Sequence, residues 1–113
     1  MGYEALLFSK EMVDAVRHVT VERRRFHGES RVHFHEFFEI EVIIGGHGRQ
    51  MLNGTEYTLE RGCVYLLSPA DFHNVICEGE LELINIMFDE SLLYGCNCRI
   101  RIARSAVALL WRG

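Results

Sequence analysis

Turn signals recur every ~8–12 residues along most of this chain, and that spacing is what most narrows its fold. Gly45-Gly46-His47-Gly48, Asn53-Gly54, Glu60-Arg61-Gly62, Ser68-Pro69-Ala70-Asp71 and Glu78-Gly79-Glu80 punctuate stretches rich in β-branched and aromatic residues. Such side chains suit a pleated surface. Short strands between closely spaced turns indicate an all-β barrel or sandwich. Residues 19–26 alternate as a strand exposed on one side, and His27-Gly28-Glu29-Ser30 turns. From Arg31 the chain is strongly β until the glycines at 45–48 break the run. Residues 49–52 and 55–59 flank Asn53-Gly54, a strong hairpin signal because both residues tolerate positive φ. Residues 63–67 form a short buried strand, and residues 73–77 and 81–88 a final strand pair. Ahead of the β region, Ser9 can cap a short helix in which Met12, Val13 and Val16 share a face.

At 113 residues one domain with one core is expected. The division is an N-terminal segment, 1–19, a barrel, 20–90, and a tail, 91–113. No apolar run approaches the ~18 residues of a transmembrane helix, and Met1-Gly2-Tyr3-Glu4 lacks a secretory pattern. A cytoplasmic location is expected. Cys63, Cys77, Cys96 and Cys98 have no zinc spacing, and Cys63 and Cys77 read as small hydrophobes in apolar strands.

The net charge of −4 hides an asymmetry. Four of the twelve Lys and Arg fall in residues 94–113, leaving eight basic against sixteen acidic residues in the first 93. An acidic body repels phosphate, so direct nucleic-acid binding by these residues is not expected. In the tail, Ile100, Ala103, Val107, Leu110 and Trp111 fall at helical spacing. Two readings stand open there: a dimerisation helix, or a truncation or frame-shift product after residue 93.

Chemistry concentrates between Gly28 and His73. His33-x-His35 in a strand places two imidazoles on one face, because side chains alternate with a period of two. Glu39 and His73 can join them from neighbouring strands. Three nitrogens and one carboxylate oxygen suit Zn, Fe, Mn or Ni, and the residue types do not choose among these. The alternative is a metal-free pocket in which the same side chains hydrogen-bond a polar ligand. Tyr65 is a further candidate lining residue. Phe34, Phe37 and Phe38 read as packing, His18, His27 and His47 as solvated, and Arg23-Arg24-Arg25 as a solvated strand face.

Gly28-x4-His33-x-His35-x3-Glu39-x6-Gly46 resembles the first conserved motif of the cupins, and Gly62 to His73 a degraded second one. In the second, Ser68 stands at the usual proline, Ala70 at the usual glycine and Cys77 at the late asparagine. The resemblance covers roughly residues 20–90. Within cupins, the run from His33 to Val42, the Gly-rich turn, Gly62 to Pro69 and His73 are similar to the N-terminal sensor domain of AraC-type transcription regulators. The resemblance implies a double-stranded β-helix (jelly-roll) barrel that binds a small effector, often a sugar or other metabolite, and pairs with a second copy. It also implies a separate C-terminal domain with two helix-turn-helix units, which these residues do not contain. Residues 1–19 are the segment that by analogy folds over the pocket. Two functions follow as expectations. The first is an effector-sensing, dimerising domain. The second is a small metal-dependent cupin enzyme, such as a dioxygenase or sugar isomerase.

Overall fold

The computed structural model describes residues 6–94. Its strands are β1 (Leu6–Phe8), β2 (Val19–Glu29), β3 (His33–His35), β4 (Phe38–Leu52), β5 (Thr55–Glu60), β6 (Val64–Leu67) and β7 (His73–Phe88). A 3-10 turn, Lys10–Met12, follows β1, and a short helix, α1 (Glu90–Tyr94), follows β7. The amphipathic tail lies outside the described residues.

β4 and β7 pair antiparallel along almost their whole length, from Phe38↔Phe88 to Leu52↔His73. One half of this long ribbon is flanked by β2, on β7, and by β6, on β4. The other half is flanked by β3, on β7, and by β5, on β4. β1 extends the second leaf by pairing parallel to β3. The ribbon therefore runs through both leaves of a cupin-type jelly roll.

The sequence reading ended one strand at Gly45–Gly48 and another at Glu78–Glu80. The structure carries both strands straight through these segments. The two signals lie opposite each other, His47 facing Glu78 and Gly46 facing Leu81, with register shifts at Ile43/Gly45 and Gly46/His47. Glycines at such places bend a strand without ending it. Gly46 and Gly79 take φ of 84° and 75°, which only glycine adopts at low cost. Paired irregularities thus make the barrel corner, and the residues on either side end up on facing leaves.

The core follows from that bend. Ile43, Leu81 and Leu83 from one leaf meet Leu59 and Val75 from the other, all buried. A second cluster joins Val13, Phe37 and Met87, with Phe8 and Met12 packed against it. The N-terminal segment is shorter in helix than its pattern implies. Ser9 Oγ accepts the Glu11 amide, as a cap should, yet the turn ends at Met12. Asp14 Oδ1 then takes the amides of Val16 and Arg17 in a local turn, and Val16 is 88% exposed. Competition from short polar side chains stops the helix.

The Asn53-Gly54 hairpin forms as read, with Leu52 paired to Thr55 and positive φ at both turn residues. Its tip docks on the loop before β7. Asn53 Nδ2 donates to Asp71 Oδ1 at 2.7 Å, and the Phe72 amide donates to Asn53 Oδ1 at 3.0 Å. Asp71 Oδ2 also accepts the Ser68 amide at 2.7 Å and the Ser68 hydroxyl at 3.1 Å. Asp71 is buried, so Asp71→Ala would strand these donors away from water. We expect a loss of about 2–3 kcal/mol by urea denaturation. A loss within experimental error would mean that water replaces the carboxylate there.

Candidate functional site

β3 is only three residues long, but it presents His33 and His35 on the same face of the barrel. Its single pairing with β7, His33↔His73, brings the third imidazole alongside. The ring centroids lie 4.2 Å apart for His33–His73, 5.4 Å for His33–His35 and 5.3 Å for His35–His73. One nitrogen from each ring can lie within 4.8 Å of the others. Glu39, on the inner face of β4, places Oε2 2.8 Å from His35 Nε2, and both side chains are buried.

Outer partners fix two of the tautomers. His33 Nδ1 lies 2.8 Å from the Arg31 carbonyl, which can only accept, so Nδ1 carries the proton. His73 Nδ1 lies 2.8 Å from Gln50 Oε1 and donates to it. In both rings Nε2 is left as a lone pair, the arrangement seen in metal-binding imidazoles. Burial holds both histidines neutral. Desolvation lowers the pKa of His33, and it pushes that of His73 down to about 2, with the other two imidazoles adding to the effect.

A cavity of about 300 Å³ opens beside these groups. Phe8 and Met12 of the N-terminal segment line it, so this segment lies against the cavity. The Glu36 amide donates to the Phe8 carbonyl at 2.9 Å and secures it. Phe26, Phe37, Val75 and Met87 supply apolar wall, while Arg24, Glu41 and Asn85 supply polar contacts. Several buried polar atoms in and behind this wall have no partner: His35 Nδ1, Glu41 Oε1, Gln50 Nε2, His73 Nε2 and Asn85 Oδ1. Orphans of this kind are rare in folded proteins unless a ligand, ion or water meets them. Orphaned lone pairs on a His/Glu set fit a divalent transition ion, and His33, His35 and His73 bring ring nitrogens close enough to hold one, with Glu39 against His35.

The structure brings together four of the five residues singled out from sequence. Tyr65 is not among the cavity-lining residues. It faces the core, and its hydroxyl donates to the Thr58 carbonyl at 2.6 Å. Sequence reasoning missed Glu41, Asn85 and Gln50. Glu41 was findable, since it follows Glu39 by two in the same strand. Asn85 and Gln50 needed the register of β7 and β4. His18, read as solvated, is partly buried and meets Asp89 at 2.9 Å. His27 and His47 are exposed.

Fold and site together define a cupin barrel with an internal cavity and an imidazole-carboxylate cluster on its wall. The profile of the AraC-like ligand binding domain matches residues 18–107, and the chain belongs to that family. Over 70 residues it is 36% identical to the HTH-type transcriptional activator RhaS of Yersinia pestis, covering 62% of this chain and 26% of that protein. The chain thus corresponds to about a quarter of the length of this relative. Among solved structures it is similar to the cupin domain of Schizosaccharomyces pombe Cnp3, with TM-score 0.64, 11% identity and coverage of 73% and 60% of the two chains. It is also similar to a Cupin 2 conserved barrel domain protein from Salinispora arenicola, with TM-score 0.60, 17% identity and 69% coverage of each. At these identities the likeness concerns the fold. No helix among the described residues is long and apolar enough to cross a membrane.

Proposed function

We propose that this chain is the small-molecule sensing and dimerisation domain of a cytoplasmic AraC-type regulator, with a sugar or similar polar metabolite as effector. The observation that carries this reading is the cavity, walled by His33, His35, Glu39 and His73 and bordered by Phe8 and Met12. A ligand there would touch the N-terminal segment directly, so binding would bias how that segment sits. DNA recognition would belong to another domain, as the RhaS relative's name and greater length imply. A divalent ion held in the His33, His35, Glu39 and His73 cluster, on the three imidazoles with Glu39 against His35, would supply an electrophilic contact for a ligand oxygen.

Dimerisation draws on the outer face of the β2–β7–β4–β6 leaf. Strand alternation puts Val21, Ile40, Val42, Ile84, Ile86 and Leu66 there, and Val21 is 62% exposed. An apolar sheet face of this kind favours cover by a second copy.

Thermal shift of the metal-loaded chain against neutral sugars, sugar acids and sugar phosphates, with light scattering alongside, tests both parts. One class of ligand should stabilise the chain by about 2.7 kcal/mol at a hundredfold excess over Kd. The scattering mass should be that of a dimer. Absence of any shift, or a monomer throughout, would remove the corresponding part. A second reading, a metal-dependent cupin dioxygenase or sugar isomerase, draws on the same cluster, because an ion there would face the cavity where a substrate can sit. Turnover of a bound sugar in the same samples would favour it.

A further inference from the structure

β4 alternates Glu39-Ile40-Glu41, so two carboxylates reach the barrel interior side by side. Both are buried, at 5% and 3% exposure. Burying one carboxylate is costly, and burying two together adds their repulsion. Such pairs persist when a proton or a metal cation lies between them. Glu39 Oε2 meets His35 Nε2 at 2.8 Å. His73 stands next to them with its Nδ1 proton committed to Gln50. Its Nε2 is therefore also an acceptor. Glu41 Oε1 and His73 Nε2 are buried without a partner, and Glu39 Oε2 meets the His35 ring. One donor atom from each of these three residues can lie within 4.8 Å of the other two. Facing Glu41 across the β4–β7 register is Asn85, whose buried Oδ1 is unpartnered too. Acceptors outnumber donors at this spot, where the Gln50 amide is the side-chain donor that approaches Glu41.

We propose that Glu41 is an ion-binding side chain, and that the cavity offers a divalent cation two overlapping seats that share His73. One seat is the imidazole set His33, His35 and His73. The other is the carboxylate set Glu39, Glu41 and His73, with Asn85 Oδ1 at its margin. Ligand chemistry separates them. Imidazole nitrogens favour Zn²⁺ and Ni²⁺, and carboxylate oxygens favour Mn²⁺. An ion can sit in one seat or the other, not in both, because His73 has a single free nitrogen. The inference rests on the reading that this cavity holds a metal.

The test is isothermal titration of the chelator-stripped full chain with MnCl₂ and, separately, ZnCl₂, using wild type, Glu41→Gln and His33→Ala. Mn²⁺ binding is also followed by electron paramagnetic resonance. Glu41→Gln should weaken Mn²⁺ at least tenfold and leave Zn²⁺ within about threefold. His33→Ala should do the reverse. Should Glu41→Gln fail to fold, Glu41→Asp, which keeps the charge but shortens its reach, takes its place in the Mn²⁺ titration. Unchanged Mn²⁺ affinity in the Glu41 variants, with both ions lost in His33→Ala, would leave one seat and overturn the proposal while sparing the metal reading. Failure of wild type to bind either ion would overturn both.

Discussion

Replacing Gly46 by alanine is expected to cost on the order of 4 kcal/mol and to lower Tm by roughly 15 °C or more. Two effects add. Gly46 has φ of 84°, where an L side chain is strained by about 1–2 kcal/mol. Its added Cβ would also collide with the Glu80 carbonyl oxygen across the barrel corner. That oxygen belongs to the backbone of β7, so no side chain can swing aside. Relief would require the β4–β7 ribbon to open at its bend, where both leaves depend on it. Gly54→Ala is the control. Gly54 has nearly the same φ, 83°, but a Cβ there meets nothing within 4 Å. It should lose only the conformational part, about 1–2 kcal/mol. Urea denaturation of the two variants decides the matter. Equal losses would show that backbone angle, and not the close approach of the two strands, governs the corner.

The metal-free chain is expected to weaken steeply on mild acidification, through His73. In the folded state burial pushes its pKa down to about 2, with the neighbouring imidazoles contributing. In the unfolded chain it titrates near about 6.5. The unfolded state therefore takes up a proton that the folded state refuses. Stability from this group is fully present above pH ~6.5 and is lost progressively as pH falls toward the folded value. A full proton of difference amounts to about 1.4 kcal/mol per pH unit, and with the unfolded imidazole half-protonated at pH ~6.5 the loss down to pH ~4.5 is about 2 kcal/mol. His33, lowered mainly by burial, adds in the same direction. Denaturant curves in chelator, wild type beside His73→Gln, isolate the effect. The variant should lose about 2 kcal/mol less than wild type over that range. Parallel curves would mean that protonated His73 finds water or a carboxylate within the folded barrel.

The pattern of turn residues was legible because its physics is local. Asn53-Gly54 makes a two-residue hairpin wherever it stands between strands, and it does so here with both φ values positive. Two histidines one residue apart share a face in any strand, which is why His33 and His35 could be paired without coordinates. Gly45–Gly48 and Glu78–Glu80 misled for the opposite reason. Alone, each reads as a turn, and only their apposition turns them into two halves of one bend. The helix expected after Ser9 shows the same limit, since Asp14 and the packing of Phe8 and Met12 decide where the chain turns.

By itself the sequence determined an all-β barrel and placed His33, His35, Glu39 and His73 in one neighbourhood. Periodicity and turn propensity are properties of a few adjacent residues. Tertiary structure alone decided which atoms go unanswered. It committed one His73 nitrogen to Gln50, set Asn85 against Glu41, and drew Tyr65 out of the cavity to the Thr58 carbonyl. Those outcomes depend on register between strands that are far apart in the chain, and a shift of one residue would turn every such side chain to the other face.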